Sequence, residues 1–518
     1  MQTFSIQTLG CKVNQYESEQ LAELLRRRGM VQVDPPQAEL RIINTCSVTM
    51  QAGSKSRQTV RRSTKLQVLT PGHADPNPRD QFTYPSDFSA GTGGGRGRVL
   101  VTGCWATSDR AQASAIRGVD AVLGHHDDIA GELNRLLDQW NEQDRLAAQA
   151  PPPVEQHKHD SPLEPFRYDG KNNSLAGAPA RFRAEDNRPR NRLHVKENPA
   201  IGARHLPLLQ EHCDGHQRAF LKIQDGCDAH CTYCIIPQLR PSLWSKPIDD
   251  AVEEAKRLVA AGHREIVLTG IFLGAYGHAT ALRRRQAPDA ALPLGELIEA
   301  LCARVGGLRR LRLSSLEPGD LTGDLIAVLR SHPQVVPHFH LPLQSGSDDI
   351  LRRMNRQYTR DQFLRMIDQV HAAFDRPAIT TDIIVGFPGE SDAEFAYTLD
   401  IVHRVRFIHT HAFTFSPRPG TAAARWDGEF IRGPVVNERI DLLNALAREH
   451  SHSFRQQFLG ETVEVLVEQP QDPSSPLRHG RCERYFDVYF HDIAAKPGDT
   501  VRLRLERVTP QRTWGSCL

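Results

Sequence analysis

Cys227, Cys231 and Cys234 stand in the run Asp225-Gly-Cys-Asp-Ala-His-Cys-Thr-Tyr-Cys-Ile-Ile-Pro237, and their spacing constrains this chain more than any other feature. A C-x-x-x-C-x-x-C loop brings three thiolates into one short turn, one too few to close an iron–sulfur cube. The fourth iron would stay open, as catalytic metal sites generally keep a position for substrate. The competing readings are a zinc knuckle and a set of buried free cysteines. Zinc loops usually pair their cysteines as C-x-x-C or similar, with a second pair elsewhere, and this spacing departs from that. The motif points to an enzyme.

In radical S-adenosylmethionine (SAM) enzymes such an open iron binds the amino and carboxylate groups of SAM, and an electron from the cluster cleaves the sulfonium to a 5′-deoxyadenosyl radical. With 518 residues, 39% hydrophobic and 24% charged, the chain is long enough for about two to four domains with cores of their own. Its 64 basic and 62 acidic residues leave a net charge of only +2. Any RNA contact must therefore come from local patches rather than a global field. Residues 1–10 lack a basic segment leading into an apolar one, and no apolar run approaches a membrane span. Ten cysteines in such a chain argue for metal or redox chemistry in a reducing compartment, by default the cytoplasm.

Residues 3–9 read as a short β-strand that ends in Gly10-Cys11. Residues 17–28 carry Leu21, Leu24 and Leu25 at helical spacing, with Gly29 as the stop. Residues 40–44 form a buried strand ending in Thr45-Cys46, residues 54–62 are helical, and residues 99–102 form a strand ending in Gly103-Cys104. Loops at the carboxyl ends of parallel strands line the crevice of an open α/β sheet. Cys11, Cys46 and Cys104 each fall just past such a strand, so they are expected to converge on one rim and hold a second cluster. The alternative is three unrelated small core residues.

Thr8-Leu-Gly-Cys-Lys-Val-Asn-Gln-Tyr-Glu-Ser18, Ile43-Asn-Thr-Cys-Ser-Val-Thr49 and Val101-Thr-Gly-Cys104 resemble the N-terminal domain of the methylthiotransferases. These are two-cluster radical SAM enzymes that insert sulfur and a methyl group into tRNA or a ribosomal protein. The resemblance covers most of the chain. It implies an auxiliary [4Fe–4S] cluster on Cys11, Cys46 and Cys104, and the radical [4Fe–4S] cluster on Cys227, Cys231 and Cys234.

From about residue 219 the chain reads as repeated strand–helix units. Strands fall at residues 220–224, 265–270, 310–314, 335–341, 378–385 and 407–415, with amphipathic helical stretches such as residues 361–374 between them. The expected fold class is thus α/β, with an N-terminal open parallel sheet followed by a partial (β/α)6 barrel. Sites in such barrels gather at the carboxyl ends of the strands, where Thr269-Gly270, Ser314-Ser-Leu-Glu317, Gln344-Ser-Gly346 and Gly386-Phe-Pro-Gly-Glu390 lie. Thr269, Gly270, Glu317 and Gln344 are the candidate SAM contacts by position, each with a structural alternative as a cap or loop hydrogen bond. No catalytic residue stands out. His340-Leu-Pro-Leu-Gln-Ser-Gly-Ser347, Met354-Asn-Arg-Gln-Tyr-Thr359 and Thr381-Asp-Ile-Ile-Val-Gly-Phe-Pro-Gly-Glu390 resemble the family's core motifs. One departure concerns the segment after the cysteine loop, where the family usually has a proline and then an arginine-rich stretch. Here Pro237-Gln-Leu-Arg-Pro-Ser-Leu-Trp-Ser-Lys-Pro247 offers only Arg240 and Lys246, which bears on how substrate or cofactor is anchored.

Beyond residue 458 short alternating strands at 462–468, 486–490 and 500–505 suit a small β-barrel. Arg478-His-Gly-Arg-Cys-Glu-Arg-Tyr-Phe-Asp-Val-Tyr-Phe490 interleaves bases with aromatics, a combination suited to phosphate contact and base stacking, while Phe486 and Val488 read as barrel core. The segment resembles the TRAM module, an RNA-binding barrel. Residues 66–97, with Gly93-Gly-Gly95, and residues 141–215, with Pro151-Pro-Pro153, lack sustained periodicity and read as loops or linkers. The expected domains are 1–140 for the auxiliary cluster, 141–212 as linker or insertion, 213–450 for the radical core and 455–518 for the TRAM-like barrel. Cys213, Cys302, Cys482 and Cys517 read as structural or incidental.

The resemblance implies a tRNA methylthiotransferase that uses SAM twice, to methylate sulfur at the auxiliary cluster and to remove hydrogen from C2 of an adenosine. Its partners would be the anticodon loop of tRNA at position 37, an electron donor such as a flavodoxin or ferredoxin, and a sulfur source that sequence does not identify; no membrane is involved. A radical must be generated in a dry, closed site, so both clusters are expected to face one cavity. The wording around Cys11, with Ser47-Val-Thr49 and Ser54-Lys-Ser-Arg-Gln58, resembles the branch acting on N6-threonylcarbamoyladenosine. The N6-isopentenyladenosine branch more often reads Tyr-Gly-Cys-Gln-Met-Asn in the first motif. From another class, a non-catalytic RNA-binding iron–sulfur redox sensor would need a degraded cofactor pocket, and the near-complete core motifs speak against it.

Overall fold

Leu40–Thr45 is buried at every position, as a strand covered on both faces must be, and it forms the middle of a five-stranded parallel sheet. The computed structural model describes residues 1–68, 96–149, 206–212, 217–282, 292–470, 472, 475–492 and 494–518. The strands are β1 (Thr3–Thr8), β2 (Val31–Gln32), β3 (Leu40–Thr45), β4 (Arg98–Gly103) and β5 (Ala121–Leu123), in the order β2-β1-β3-β4-β5. Thr8 pairs with Asn44, and Thr45 with Gly103. That register brings the carboxyl ends of β1, β3 and β4 level, so Cys11, Cys46 and Cys104 leave the sheet on one rim. The helices are α1 (Lys12–Arg27), α2 (Met50–Ser63), α3 (Cys104–Ser108), α4 (Arg110–Ser114) and α5 (Ile129–Gln149). Helix α1 starts at Lys12, ahead of the expected residue 17, because the polar Asn14, Glu17 and Ser18 that hide its apolar period are themselves buried.

The second sheet system contains β6 (Arg218–Asp225), β7 (Trp244–Ser245), β8 (Glu265–Gly270), β9 (Arg310–Leu313), β10 (His338–His340), β11 (Ala378–Val385) and β12 (His409–Thr414). Four of them run in the order β7-β6-β8-β9 and three in the order β10-β11-β12. Single bridges from Leu311 to Val335 and from Ser315 to His340 join the two sets. Apart from the short antiparallel β7, all are parallel, so six strands make the open (β/α) barrel expected from the sequence. The helices α6 (Ile236–Leu239), α7 (Ile248–Ala260), α8 (Pro293–Arg304), α9 (Gly323–Ser331), α10 (Asp348–Arg353), α11 (Arg360–Ala373), α12 (Asp392–Val405) and α13 (Gly433–Gln456) follow. Ile379, Ile383 and Val385 of β11 share one core with Phe363 and Ile367 of α11 and Ile401 and Val402 of α12. The alternate residues Thr380 and Asp382 therefore face the inside. The strand expected over 335–341 is shorter, because Pro337 has no N–H to give the ladder.

The C-terminal strands β13 (Thr462–Val467), β14 (Leu477–Cys482), β15 (Asp487–His491), β16 (Thr500–Val508) and β17 (Thr513–Cys517) close into a barrel in the order β13-β14-β15-β17-β16. Phe486, Val488 and Phe490 are in its core with Val463, Val465 and Leu503. Strands β14 and β17 escape a propensity reading because each is polar and glycine-containing. Gly480 is required: a Cβ there would lie 2.2 Å from the Leu466 carbonyl oxygen on β13.

The chain divides into two compact units, Met1–Asn134 with Ala200–Leu518, and Arg135–Pro199. The described part of the second unit is the continuation of α5, which runs to Gln149, so residues 141–149 are helical where a linker was expected. Of the two expected insertions, residues 69–95 with Gly93-Gly-Gly95, and residues 150–205 with Pro151-Pro-Pro153, lie outside the described residues, as does Cys213.

Candidate active site

Buried asparagines knot the strand ends that carry the first three thiols. Asn14 Nδ2 donates to the carbonyls of Leu9 at 3.0 Å and Thr45 at 2.9 Å, and Asn44 Nδ2 donates to the Asn14 carbonyl at 2.9 Å. The Oδ1 of Asn14 stands 3.8 Å from Cys11 Sγ and 4.0 Å from Cys104 Sγ. Cys46 reaches the same place: a Cβ on Gly10 would lie 3.3 Å from its Sγ, and Gly10 has φ +118°. The three residues thus converge as the strand-end argument expects. Cys11 immediately precedes α1 and Cys104 opens α3. Burial raises Cys46 and pushes Cys104 up to about 12, with the neighbouring thiols adding to the rise.

The second three thiols lie on the loop that leaves β6. Gly226, at φ +81°, opens it, and a Cβ there would sit 2.0 Å from the Ser242 carbonyl oxygen, so the turn demands glycine. Gln224 stitches the loop to its neighbour: its Nε2 donates to the carbonyls of Asp225 and Gly226 at 2.9 and 2.8 Å, while its Oε1 accepts from the Phe272 N–H at 2.8 Å. His230 is held at φ 53°, with Asn355 Nδ2 donating to its carbonyl at 3.0 Å. Thr232 is fixed by its N–H to the Met354 carbonyl at 3.1 Å and its hydroxyl to the Arg353 carbonyl at 2.8 Å. Arg356 donates to Cys231 Sγ at 3.1 Å and pairs with Glu317. Burial pushes Cys227 and Cys234 up to about 12.

A buried thiol this weakly acidic loses its proton when a cation replaces it. Among the described residues no three Cys, His, Asp or Glu side chains close on a single-ion site. A cube differs, since each thiolate binds its own iron and the ligands stand further apart. All-sulfur donors of this kind are the type an iron–sulfur cluster takes. The two sets are neighbours, because Cys104 shares a small core with Ile235 and Leu239, just after Cys234.

The four candidate SAM contacts lie at or just past the carboxyl ends of β8, β9 and β10. Thr269 is buried, with its hydroxyl 3.4 Å from the Val267 carbonyl. Gly270 packs against Gln224, whose Cβ would be 3.0 Å from an added Cβ. Glu317 is brought to Cys231 through Arg356. Gln344 adopts φ 61°, and its N–H and carbonyl pair with Asp382 and Ile384 of β11 at 2.8 and 3.0 Å. Arg356 and Asn355, which hold the cysteine loop, were hidden in a motif whose role sequence did not resolve. A charged residue just past the end of α10 was the available signal.

Arg240 and Lys246, the two bases after the cysteine loop, are internal. Arg240 bonds both Glu17 oxygens at 2.7 and 2.8 Å and Asp225 at 2.9 Å. Lys222 bonds Glu17 and Asp225, each at 2.7 Å. Lys246 donates to the Tyr16 hydroxyl at 2.8 Å and pairs with Glu254. These bases tie α1 to β6 and α7. Burial alone would raise Glu17 and Asp225, but Arg240 and Lys222 outweigh it and hold both below the usual carboxylate range.

The inner face of the partial barrel is polar. His340 meets Asp382 at 3.2 Å and Thr380 Oγ1 at 2.9 Å, and His409 meets His411 at 3.2 Å. Tyr485, at φ 71° between β14 and β15, stacks on His338 with ring centroids 4.3 Å apart. The guanidinium carbons of Arg481, Arg312 and Arg218 lie 4.5, 4.9 and 5.6 Å from its ring. Burial would raise the Tyr485 phenol, but Arg218, Lys12 and Arg481 bring it down to about 8. The Lys12 charge also reaches His338 and His411. Burial lowers Lys12 below the ordinary lysine range, and its ammonium has no hydrogen bond or ion pair among the described residues.

On the C-terminal barrel, Arg478 is buried and donates to the Ala495 carbonyl at 3.3 Å, and Arg481 pairs with Asp487 at 3.0 Å. The outward aromatics form a row across three strands instead. His479 stacks on Tyr489, which meets Trp514, which stacks on His491, at centroid separations of 5.7, 5.6 and 6.2 Å. Arg507 and Arg512 lie over Trp514 and Tyr489.

Residues 221–402 match the radical SAM superfamily, and residues 3–124 match a family described as Uncharacterized protein family UPF0004. Over 508 residues the chain is 32% identical to the threonylcarbamoyladenosine tRNA methylthiotransferase MtaB of Bacillus subtilis (strain 168), spanning 98% of this chain and 94% of that one. The MtaB of Thermotoga maritima is 32% identical over 469 residues, 90% of this chain and 87% of that one. At 33% identity over 516 residues, the tRNA-2-methylthio-N(6)-dimethylallyladenosine synthase of Frankia alni is similar to the same degree, spanning 98% of this chain and 87% of that one.

Proposed function

This chain belongs to the radical SAM methylthiotransferases that act on tRNA, and from that premise we propose that it places a methylthio group on C2 of N6-threonylcarbamoyladenosine at position 37. The observation that carries the methylthiotransferase chemistry is the pairing of two all-cysteine sets. Cys227, Cys231 and Cys234 would hold the radical cluster and Cys11, Cys46 and Cys104 the auxiliary one, with Cys104 packed on Ile235 and Leu239. The chemistry supplied by a bound cluster with SAM is reductive cleavage of a sulfonium to a carbon radical. Its electron would come from a small one-electron donor protein such as a flavodoxin or ferredoxin.

The protein's own part is positioning and exclusion of water. Gln224, Asn355 and Thr232 fix the loop so that its thiols need no reorganisation. Arg356 neutralises charge at Cys231 and carries Glu317 to the loop mouth, where a carboxylate suits the cationic ends of SAM. Thr269, Gly270 and Gln344 would complete the SAM contacts. The aromatic row on the C-terminal barrel suits stacking on unpaired bases, with Arg507 and Arg512 beside it for phosphates.

Lys12 supports the threonylcarbamoyl reading over the isopentenyl one, because an ammonium without a partner among the described residues has a use for the threonyl carboxylate and none for a hydrocarbon tail. Lys12→Gln is expected to lower kcat/KM for a threonylcarbamoyl-bearing anticodon stem-loop by about tenfold, the scale of one charged hydrogen bond. Steady-state kinetics on that stem-loop and on its neutral methyl ester would check this, since the variant should treat the two alike.

The function itself is tested by mass spectrometry of tRNA nucleosides from cells with and without the gene. Loss of 2-methylthio-N6-threonylcarbamoyladenosine with accumulation of its precursor supports the assignment. A change confined to the isopentenyl nucleoside would move the substrate to the second reading, which the 33% identity to a dimethylallyladenosine synthase keeps in view.

A further inference from the structure

A concave surface on the N-terminal sheet, apart from both cysteine sets, gathers positive charge that is mostly unpaired among the described residues. The cavity has a volume of about 950 Å³ and is lined by Arg57, Arg61, Thr64 and Lys65 from α2 and its end, by Arg96, and by Arg117 after α4. Among the described residues no acidic side chain lines it. Arg96 is committed to Asp120 at 2.6 Å. The side chains of Arg57, Arg61, Lys65 and Arg117 have no hydrogen bond or ion pair among the described residues.

A row of bases on a helix is ordinarily just a solvated face. Here that explanation falls short in three respects. Arg57 and Arg61 stand at i and i+4 on α2 without an acidic partner among the described residues, an arrangement that disfavours a helix, and Lys65 follows in the turn just past its end. The helix dipole favours bases only in the last turn, which leaves Arg57 unexplained. Arg117 comes to the same hollow from a different element, so the convergence is three-dimensional. Moreover the whole chain carries only +2, and four unpaired cations in one hollow stand out against that balance.

We propose that this hollow binds the ribose–phosphate backbone of the tRNA substrate, away from the modified nucleotide. The spacing suits a strand: bases four residues apart on a helix advance by about 6 Å, of the order of the step between successive phosphates. Arginine gives planar, forked donors to phosphate oxygens, and Lys65 adds a point charge. Such contacts fix register and orientation and carry no sequence information. The methylthio group must go to one base in one loop, so a grip on the backbone outside the reaction cavity would set the angle at which that loop enters. The inference rests on tRNA being the substrate.

The test compares the reconstituted full-length protein with an Arg57→Gln/Arg61→Gln/Lys65→Gln variant, using tRNA binding over a series of salt concentrations. Removing three phosphate contacts is expected to flatten the slope of log affinity against log salt by about 2 to 3 and to weaken binding at low salt by tenfold or more. The melting temperature and SAM cleavage without tRNA should stay at wild-type values, which separates the effect from misfolding. An unchanged slope overturns the proposal. So does saturable calorimetric binding of inorganic phosphate that the variant loses while its tRNA slope stays the same, which would make the hollow a small-anion site. If the wild type itself does not bind tRNA, the substrate reading fails and the proposal goes with it.

Discussion

Alanine at Cys231 is expected to abolish SAM cleavage and methylthio-nucleoside formation together, whereas alanine at Cys46 should spare the first and abolish the second. Each variant should lose about half of the iron bound by a protein with two four-iron clusters. The contrast follows from the two thiol sets having different surroundings. Cys231 is held by Arg356, which also carries Glu317, on the loop whose open iron would take SAM. Cys46 sits against Gly10 beside Cys11 and Cys104. Iron analysis, 5′-deoxyadenosine release and nucleoside mass spectrometry on the same preparations read all three quantities. Cys302→Ala is the control, since that thiol belongs to the apolar core. A Cys46 variant with full iron and full activity would return the N-terminal cysteines to the status of small core residues.

Glu17→Ala should destabilise the protein by about 3–5 kcal/mol, the usual consequence of removing one partner of a buried ionic set. Lys222 and Arg240 would then share the single carboxylate of Asp225 in a site where both cations are almost fully covered. Replacing the whole set with apolar residues of similar volume is expected to cost far less. The same network predicts the direction of the acid response. Glu17 and Asp225 are depressed in the folded protein, and so is Glu265, to about 2, where Arg312 and Arg310 overcome the effect of burial. Groups shifted this way contribute stability above their unfolded values near pH 4, and that stability is lost as pH falls toward the folded values. Urea midpoints measured between about pH 6 and pH 3 should therefore fall steeply in the wild type and less in a Glu17→Gln variant.

Much of this was legible in the sequence because chemistry and pattern agreed. The strand ends before Cys11, Cys46 and Cys104 were marked by apolar runs stopping at a glycine or threonine, and parallel pairing did the rest. The six-strand barrel was readable from alternating strand and helix periods. What sequence hid was polar. Asn14, Glu17, Lys222 and Arg240 look like surface residues by type, yet each is buried because its partner comes from far along the chain, as Glu17 and Arg240 do. Strand β14 carries Arg478, Gly480 and Arg481, which no strand propensity would choose, and its pairing with β13 and β15 overrides that. The sparse bases after Pro237 looked like a loss of anchoring charge. Their burial against α1 and α7 gives them another task.

That burial bears on how far such a chain can be cut. The N-terminal sheet and the partial barrel match different family descriptions, which invites treating them as detachable modules. The seam between them is lined by Lys222, Arg240 and Lys246 on one side and by Tyr16 and Glu17 on the other. A fragment beginning near residue 217 would open that seam and leave three ammonium or guanidinium groups facing a surface shaped for a missing helix. Parts separate cleanly where their joins tolerate water, whereas this join is a set of buried ion pairs. The N-terminal sheet and the partial barrel are thus expected to fold, and to be lost, as one piece.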